Sequence, residues 1–320
     1  HKNLLLLVNL GSPDKLTTSA IRRFLFKFLT DRHVVNLPRL LWYPILCAFI
    51  LPLRPRKLIH QYQHIWQGSG SPLVVTTKLQ AERLQQMVNS DLWLVKYAFS
   101  YSFPQISDVL IQAHEQYDID ELRVIPLYPQ FSSTTTIPVF DAIYQFYTDK
   151  LYLPAIKFIR DFHQHPLYIN AIVKQIQEYW QISPTGRGKK IVFSYHGLPQ
   201  TLINKGDVYF AHCVTTTELI ARKLLLTKDD YSISFQSRFG KQKWLSPATT
   251  TLLSNIAQSG VKSVDIVCPG FVSDCLETLE EIALTNKKVF LESGGVNYNY
   301  IPCLNYREDF ILMLNGLTLD

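Results

Sequence analysis

Short apolar runs alternate along this chain with longer segments at helical spacing, and no other feature restricts its fold as much. Leu4–Val8 is an apolar run closed by the turn sequence Asn9-Leu10-Gly11-Ser12-Pro13, after which Ile21, Phe24, Leu25, Phe28 and Leu29 recur at helical spacing. Further strand candidates are Leu92–Phe99, Leu122–Tyr128, Ala155–Ile159, Ile191–Tyr195, Ile233–Gln236, Val264–Cys268 and Val289–Leu291. Helical patterns separate most of them, near 72–89, 105–117, 138–150, 166–180, 212–225, 249–259, 274–285 and 306–316. Such alternation calls for parallel sheets covered by helices on both faces.

Two pairs of turn sequences suggest a doubled architecture. Asn9-Leu10-Gly11-Ser12-Pro13 matches Tyr195-His196-Gly197-Leu198-Pro199 in turn chemistry, and Pro129-Gln130-Phe131 resembles Pro269-Gly270-Phe271, each just after a strand candidate. The expected fold is α/β: two similar Rossmann-like lobes, each a parallel sheet flanked by helices, with a cleft between them. The division is expected at 1–155 and 156–320, with the last helix packing back on the first lobe.

Composition excludes several functions. A hydrophobic content of 47% with 18% charged residues is that of a globular protein, and a formal charge of +6 without any Lys/Arg run offers no nucleic-acid arm. Neither GxxxxGK[ST] nor a GxGxxG after the first strand occurs, so no nucleotide is expected; GxSxG is absent too. The cysteines, Cys47, Cys213, Cys268, Cys275 and Cys303, are odd in number and scattered, which fits small buried thiols in a reducing compartment. The amino terminus lacks the layout of a signal peptide, so a cytoplasmic protein is expected. No pattern suggests a dimer seam, and a monomer is expected.

The chemistry concentrates at two strand ends. The strand Ile191–Tyr195 stops on His196 and turns at once, and ligands of open α/β sheets bind beyond the carboxyl ends of strands. After Val264–Cys268 comes a helical pattern in which Asp274, Glu277 and Glu281 are three and four residues apart and share one face, with Leu276, Leu279 and Ile282 on the buried one. Ser273 or Asp274 is expected as its N-cap. A row of acids is by itself a solvated face, and a lone histidine is by itself structural. At the ends of strands in the same half of the chain, the two together can bind a divalent cation or move protons.

Ser194-Tyr-His-Gly-Leu-Pro199, Asn204-Lys-Gly-Asp207, Phe235-Gln-Ser-Arg-Phe-Gly240, Cys268-Pro-Gly-Phe-Val-Ser-Asp-Cys-Leu-Glu-Thr-Leu-Glu-Glu281 and Tyr300-Ile-Pro-Cys-Leu-Asn305 together resemble the ferrochelatases of the bacterial type. In the first half Val8-Asn-Leu-Gly-Ser-Pro13, Gly70-Ser-Pro-Leu73 and Leu127-Tyr-Pro-Gln-Phe-Ser-Ser-Thr-Thr-Thr136 do the same, and the resemblance runs in order over nearly the whole chain. It implies an enzyme that inserts Fe2+, as substrate, into protoporphyrin IX to form protohaem with release of two protons. By position it implies that His196 and Glu277 are the catalytic and metal-holding pair. Asp274 and Glu281 match the acidic line leading away, and Leu10, Arg54, Tyr62 and Ser71 match positions around the porphyrin.

The apolar run Leu40–Leu53 carries Pro44 and Pro52 and is too short to span a bilayer. With Arg39 before it and Arg54, Arg56 and Lys57 after it, it reads as a porphyrin-entry lip near 38–57, in peripheral contact with a membrane, which would place the protein on the inner membrane face. Against the family pattern, Ser100 stands where arginine is common and Ser102 where glycine is; Ile137-Pro138, Ala248 and Thr250 also depart. These departures leave two alternatives: a chelatase for another tetrapyrrole or metal, such as coproporphyrin, or a porphyrin- or haem-binding homologue with impaired catalysis. The cysteine-bearing extension that holds an iron–sulfur cluster in some members has no counterpart in this sequence, and no cluster is expected.

Overall fold

The computed structural model describes residues 1–319. Two compact units emerge: His1–Tyr128 with Ser132–Asp161 and the segment from Leu314 onward, and Pro129–Phe131 with Phe162–Met313. The last helix, Glu308–Leu319, thus begins in residues of the second unit and ends in residues of the first. Its carbonyl at Leu317 accepts from Nη1 of the buried Arg123 at 2.9 Å.

The first unit holds a parallel sheet of β1 (Lys2–Asn9), β2 (Trp93–Phe99), β3 (Ile119–Pro126) and β4 (Ala155–Phe158), in the spatial order β2-β1-β3-β4. Leu4, Leu6 and Val8 pack with Val109, Leu110 and Ala113 of one helix and Val139, Ile143 and Tyr147 of another, while Leu5 and Leu7 on the opposite face are equally buried. A central strand covered on both faces must be apolar at every position, hence the unbroken run.

The second unit repeats the plan with β5 (Lys190–His196), β6 (Tyr231–Gln236), β7 (Ser263–Val267) and β8 (Asn297–Tyr300), all parallel, in the order β6-β5-β7-β8. The order reverses beside β5, so the switch point, where such sheets bind ligands, lies at the carboxyl end of the strand that finishes on His196.

The eighth strand is not Val289–Leu291. Those residues lie in the helix Lys287–Glu292, with Phe290 fully buried, and the edge strand is Asn297-Tyr-Asn-Tyr300. A three-residue apolar run carries no period that separates a strand from a buried helical turn, and the asparagines masked the real strand. Leu40–Leu53 is not one regular element. A short α-helix, Arg39–Ile45, passes into a π-helical turn, Leu46–Ile50, and then into the helix Leu51–Gln63. Trp42, Leu46 and Leu51 are buried, whereas Leu40, Leu41, Ile45, Phe49 and Leu53 are exposed. Among the described residues no helix is long and apolar enough to cross a membrane.

Candidate active site

His196 is the last residue of β5, paired in register with Gln236 at the end of β6. Its Nδ1 lies 2.7 Å from the carbonyl oxygen of Gly197. A carbonyl can only accept, so Nδ1 carries a proton, and whenever the ring is neutral Nε2 keeps its lone pair for a proton or a metal. The backbone is held as well: Tyr209 Oη donates to the His196 carbonyl at 2.8 Å, and Gly197 N–H donates to the Gln236 carbonyl at 2.7 Å. A Cβ on Gly197 would stand 2.9 Å from that carbonyl and 3.1 Å from the Trp244 ring, so the turn after the histidine admits only glycine.

The carboxylates come from the segment after β7. It winds as a π-helix, Glu277–Asn286, rather than as the α-helix its spacing predicts from 274. Neither Ser273 nor Asp274 caps it: its N-cap is Leu276, without a side-chain cap. The wider winding also changes the buried face, which is Thr278, Ile282 and Asn286, while Leu279 is only half-buried. Side chains satisfy its carbonyls where the ladder is displaced. Gln236 Nε2 donates to Glu277 O (2.7 Å), Asn286 Nδ2 to Glu281 O (2.8 Å) and Tyr298 Oη to Ile282 O (2.6 Å).

Glu277, Glu281 and His196 gather within electrostatic reach. Burial pushes the Glu281 carboxyl above its ordinary range, two hydrogen bonds from Ser237 hold it down, the charge of Glu277 raises it and His196 lowers it. The Ser237 bonds are a backbone N–H to Oε1 and a hydroxyl to Oε2, both 2.7 Å. Ser237 reaches them from a left-handed conformation, φ +63°, unusual for a residue with a side chain. The tie between β6 and the π-helix is therefore made by Gln236 and Ser237, and Arg238 is exposed. Glu277 keeps its carboxylate half-exposed at the head of the π-helix, beside the buried thiol of Cys275.

Asp274 differs from the other two acids. It is buried, its Oδ1 accepts from Thr278 Oγ1 (2.9 Å) and from the Tyr300 hydroxyl, and its Oδ2 accepts from Asn305 Nδ2 (2.8 Å). Thr278 Oγ1 in turn accepts from Cys275 N–H at 2.9 Å. The carboxylate is fully used in fixing the entry into the π-helix.

The remaining expected residues lie in the first unit. Leu10 follows β1, half-buried, its N–H on Asn9 Oδ1 (2.8 Å) and its carbonyl on Tyr101 N–H (3.0 Å). Arg54 and Tyr62 share the helix Leu51–Gln63, with Tyr62 buried edge-on to Trp66. Ser71 is buried, pairs its hydroxyl with Ser12 and caps the helix Pro72–Met87. Ser100 lines a cavity of about 430 Å³ together with the basic Lys27, Arg32 and Arg39 and the acidic Asp31 and Asp141. Ser102 Oγ accepts from Ser12 N–H at 3.2 Å, and Thr250 Oγ1 donates to Asn286 Oδ1 at 2.9 Å. Sequence reasoning did not find Ser237 or the tie through Thr250, because hydroxyl residues in turns carry no pattern of their own.

The doubled parallel-sheet fold, here with a histidine at the switch point of its second sheet, is also the architecture of solved chelatases. In fold the chain is similar to SirB from Bacillus subtilis, solved with Fe3+ (TM-score 0.56, 11% identity, 100% of this chain and 95% of that one). It is also similar to a multi-domain protein of Deinococcus radiodurans described as structurally similar to chelatases (TM-score 0.54, 10% identity, 99% and 54%). The ferrochelatase family model matches residues 2–320. Curated ferrochelatases of Herminiimonas arsenicoxydans (44% identity, 98% of this chain, 85% of the relative) and Vibrio parahaemolyticus (44%, 99% and 98%) are similar throughout. The chain belongs to the ferrochelatase family, and is a metal chelatase, a ferro-lyase.

Proposed function

We propose that the chain performs the family reaction on the pair His196 and Glu277, with Glu281 as the first carboxylate of the route leading away. In that reaction ferrous iron enters a porphyrin, here protoporphyrin IX, and protohaem and two protons leave. The observation that carries the assignment is the Nε2 lone pair of His196, freed by the Gly197 carbonyl and set at the switch point within electrostatic reach of Glu281, which in turn feels Glu277. A free-base macrocycle must lose its pyrrole N–H protons as iron enters. A neutral imidazole can take such a proton or hold the metal, and a carboxyl whose affinity for protons is raised by burial can accept it and pass it on. Asp274, with every oxygen engaged, serves this reading as the anchor of the π-helix.

Lys27, Arg32 and Arg39 line the cavity beside Ser100 together with Asp31 and Asp141, so positive charge is present there without an arginine at position 100. Leu10, Arg54, Tyr62 and Ser71 are proposed to border the porphyrin. The exposed Leu40, Leu41, Phe49 and Leu53, flanked by Arg39, Arg56 and Lys57, are proposed as an entry lip resting on the cytoplasmic surface of a membrane.

The test is iron and zinc insertion by the purified chain, with protoporphyrin and coproporphyrin side by side. His196→Ala and Glu277→Gln are each expected to lose about 100-fold or more in iron insertion. Near-normal turnover by either variant would sink the assignment.

A further inference from the structure

Gln236 is buried at the end of β6, and its amide is fixed by groups that leave no choice of orientation. Its nitrogen lies 2.7 Å from the Glu277 carbonyl, which can only accept, and 3.4 Å from Glu281 Oε2. Its oxygen therefore faces the other way, where it accepts from Ser194 Oγ at 2.8 Å and from the Cys268 thiol at 3.6 Å.

The single hydroxyl proton of Ser194 is thereby spent on the amide. Ser194 Oγ must then accept from Thr249 Oγ1 at 2.8 Å, and Thr249 in turn from Ser234 Oγ at 2.7 Å. All of these side chains are buried. The result is one directed chain, Ser234 to Thr249 to Ser194 to Gln236, ending on the π-helix and its carboxylate. Each bond polarises the next, and none can reverse without leaving a buried group unpaired.

We infer that Gln236 is a positioning residue for metallation: oriented by the hydroxyl chain behind it, its amide sets the first turn of the π-helix and the Glu281 carboxylate for handling iron. The inference rests on the reading that the carboxylates act on iron, and it adds a device that sets their position. Gln236 itself is buried, with its amide spent on protein groups. Its effect is expected in the use of iron and not in the binding of the macrocycle.

Steady-state insertion kinetics on the full chain, with Fe2+ and porphyrin varied separately, test it. Gln236→Leu is expected to lower kcat/KM for iron by about 10- to 100-fold, the usual range for a residue that orients metal-handling groups, with KM for porphyrin unchanged. Thr249→Val, which breaks the chain at a distance, should fall in the same direction, whereas Thr249→Ser, which keeps the hydroxyl, should match the parent.

Undiminished iron kinetics in Gln236→Leu, a loss seated in the porphyrin KM, or equal losses in Thr249→Val and Thr249→Ser would each overturn the inference. Should Gln236→Leu fail to fold, the Thr249 pair decides alone. His196→Ala, measured alongside, separates the two levels. An inactive His196→Ala beside an unimpaired Gln236→Leu removes only this inference, and an active His196→Ala removes the metallation assignment.

Discussion

Ser237 opposes the effect of burial on the Glu281 carboxyl. It spends both its N–H and its hydroxyl on Glu281, and does so from a backbone conformation that a serine adopts at a cost. Burial raises the Glu281 carboxyl, and donors from Ser237 favour its charged form. Removing the hydroxyl must therefore raise the carboxyl further. In Ser237→Ala the carboxylate forms only at higher pH, so the acid limb of the pH profile of kcat/KM should move up by about 1 unit, the equivalent of one hydrogen bond to a charge. An acid limb that stays in place would show that Glu281 does not govern it. His196 and the row of acids were legible in the sequence because a strand that halts on a histidine and acids at spacing three and four are patterns. Ser237 was not, since its role depends on a left-handed turn that brings β6 against a segment far along the chain.

At the scale of elements, the π-helix separates expectation from structure. The acids at 277 and 281 stay near one another on either winding, which is why the pattern found them; the buried stripe changes, and with it the cap and the start. What supports the π form comes from elsewhere in the chain: Gln236, Asn286 and Tyr298 each supply a donor to one of its carbonyls. Tyr298→Phe removes one of these bonds without altering the packed ring, and should cost about 1–2 kcal/mol in denaturant unfolding. An unchanged unfolding midpoint would mean that the winding does not need that bond. The strand β8, which carries Tyr298, was missed for a related reason. Its Asn-Tyr alternation lacks the composition of a strand, and its place is set by pairing with β7.

The whole chain repeats one plan, since the orders β2-β1-β3-β4 and β6-β5-β7-β8 are the same topology used twice. Only the second copy places a histidine at the end of its first strand and carboxylates after its third. The first copy carries instead the exposed apolar segment and the cavity beside Ser100. With a formal charge of +6 and that segment flanked by basic residues, the chain should float with vesicles containing anionic lipid and detach as salt is raised. Replacing Leu40 and Phe49, 90% and 65% exposed, by serine should abolish flotation while leaving stability unchanged. Salt-independent flotation, or flotation undiminished in that variant, would rule this face out.

The sequence alone determined the parallel α/β class and the doubling, and put forward the pair His196 and Glu277, because alternation, turn chemistry and motif order are local and survive in a linear text. Tertiary structure decided the π winding, the eighth strand, the fully bonded state of Asp274, and the chain of hydroxyls that orients Gln236. Each of these depends on which donors meet which acceptors when distant segments pack in a buried space, where an unpaired polar group is expensive, and no spacing along the chain encodes that meeting.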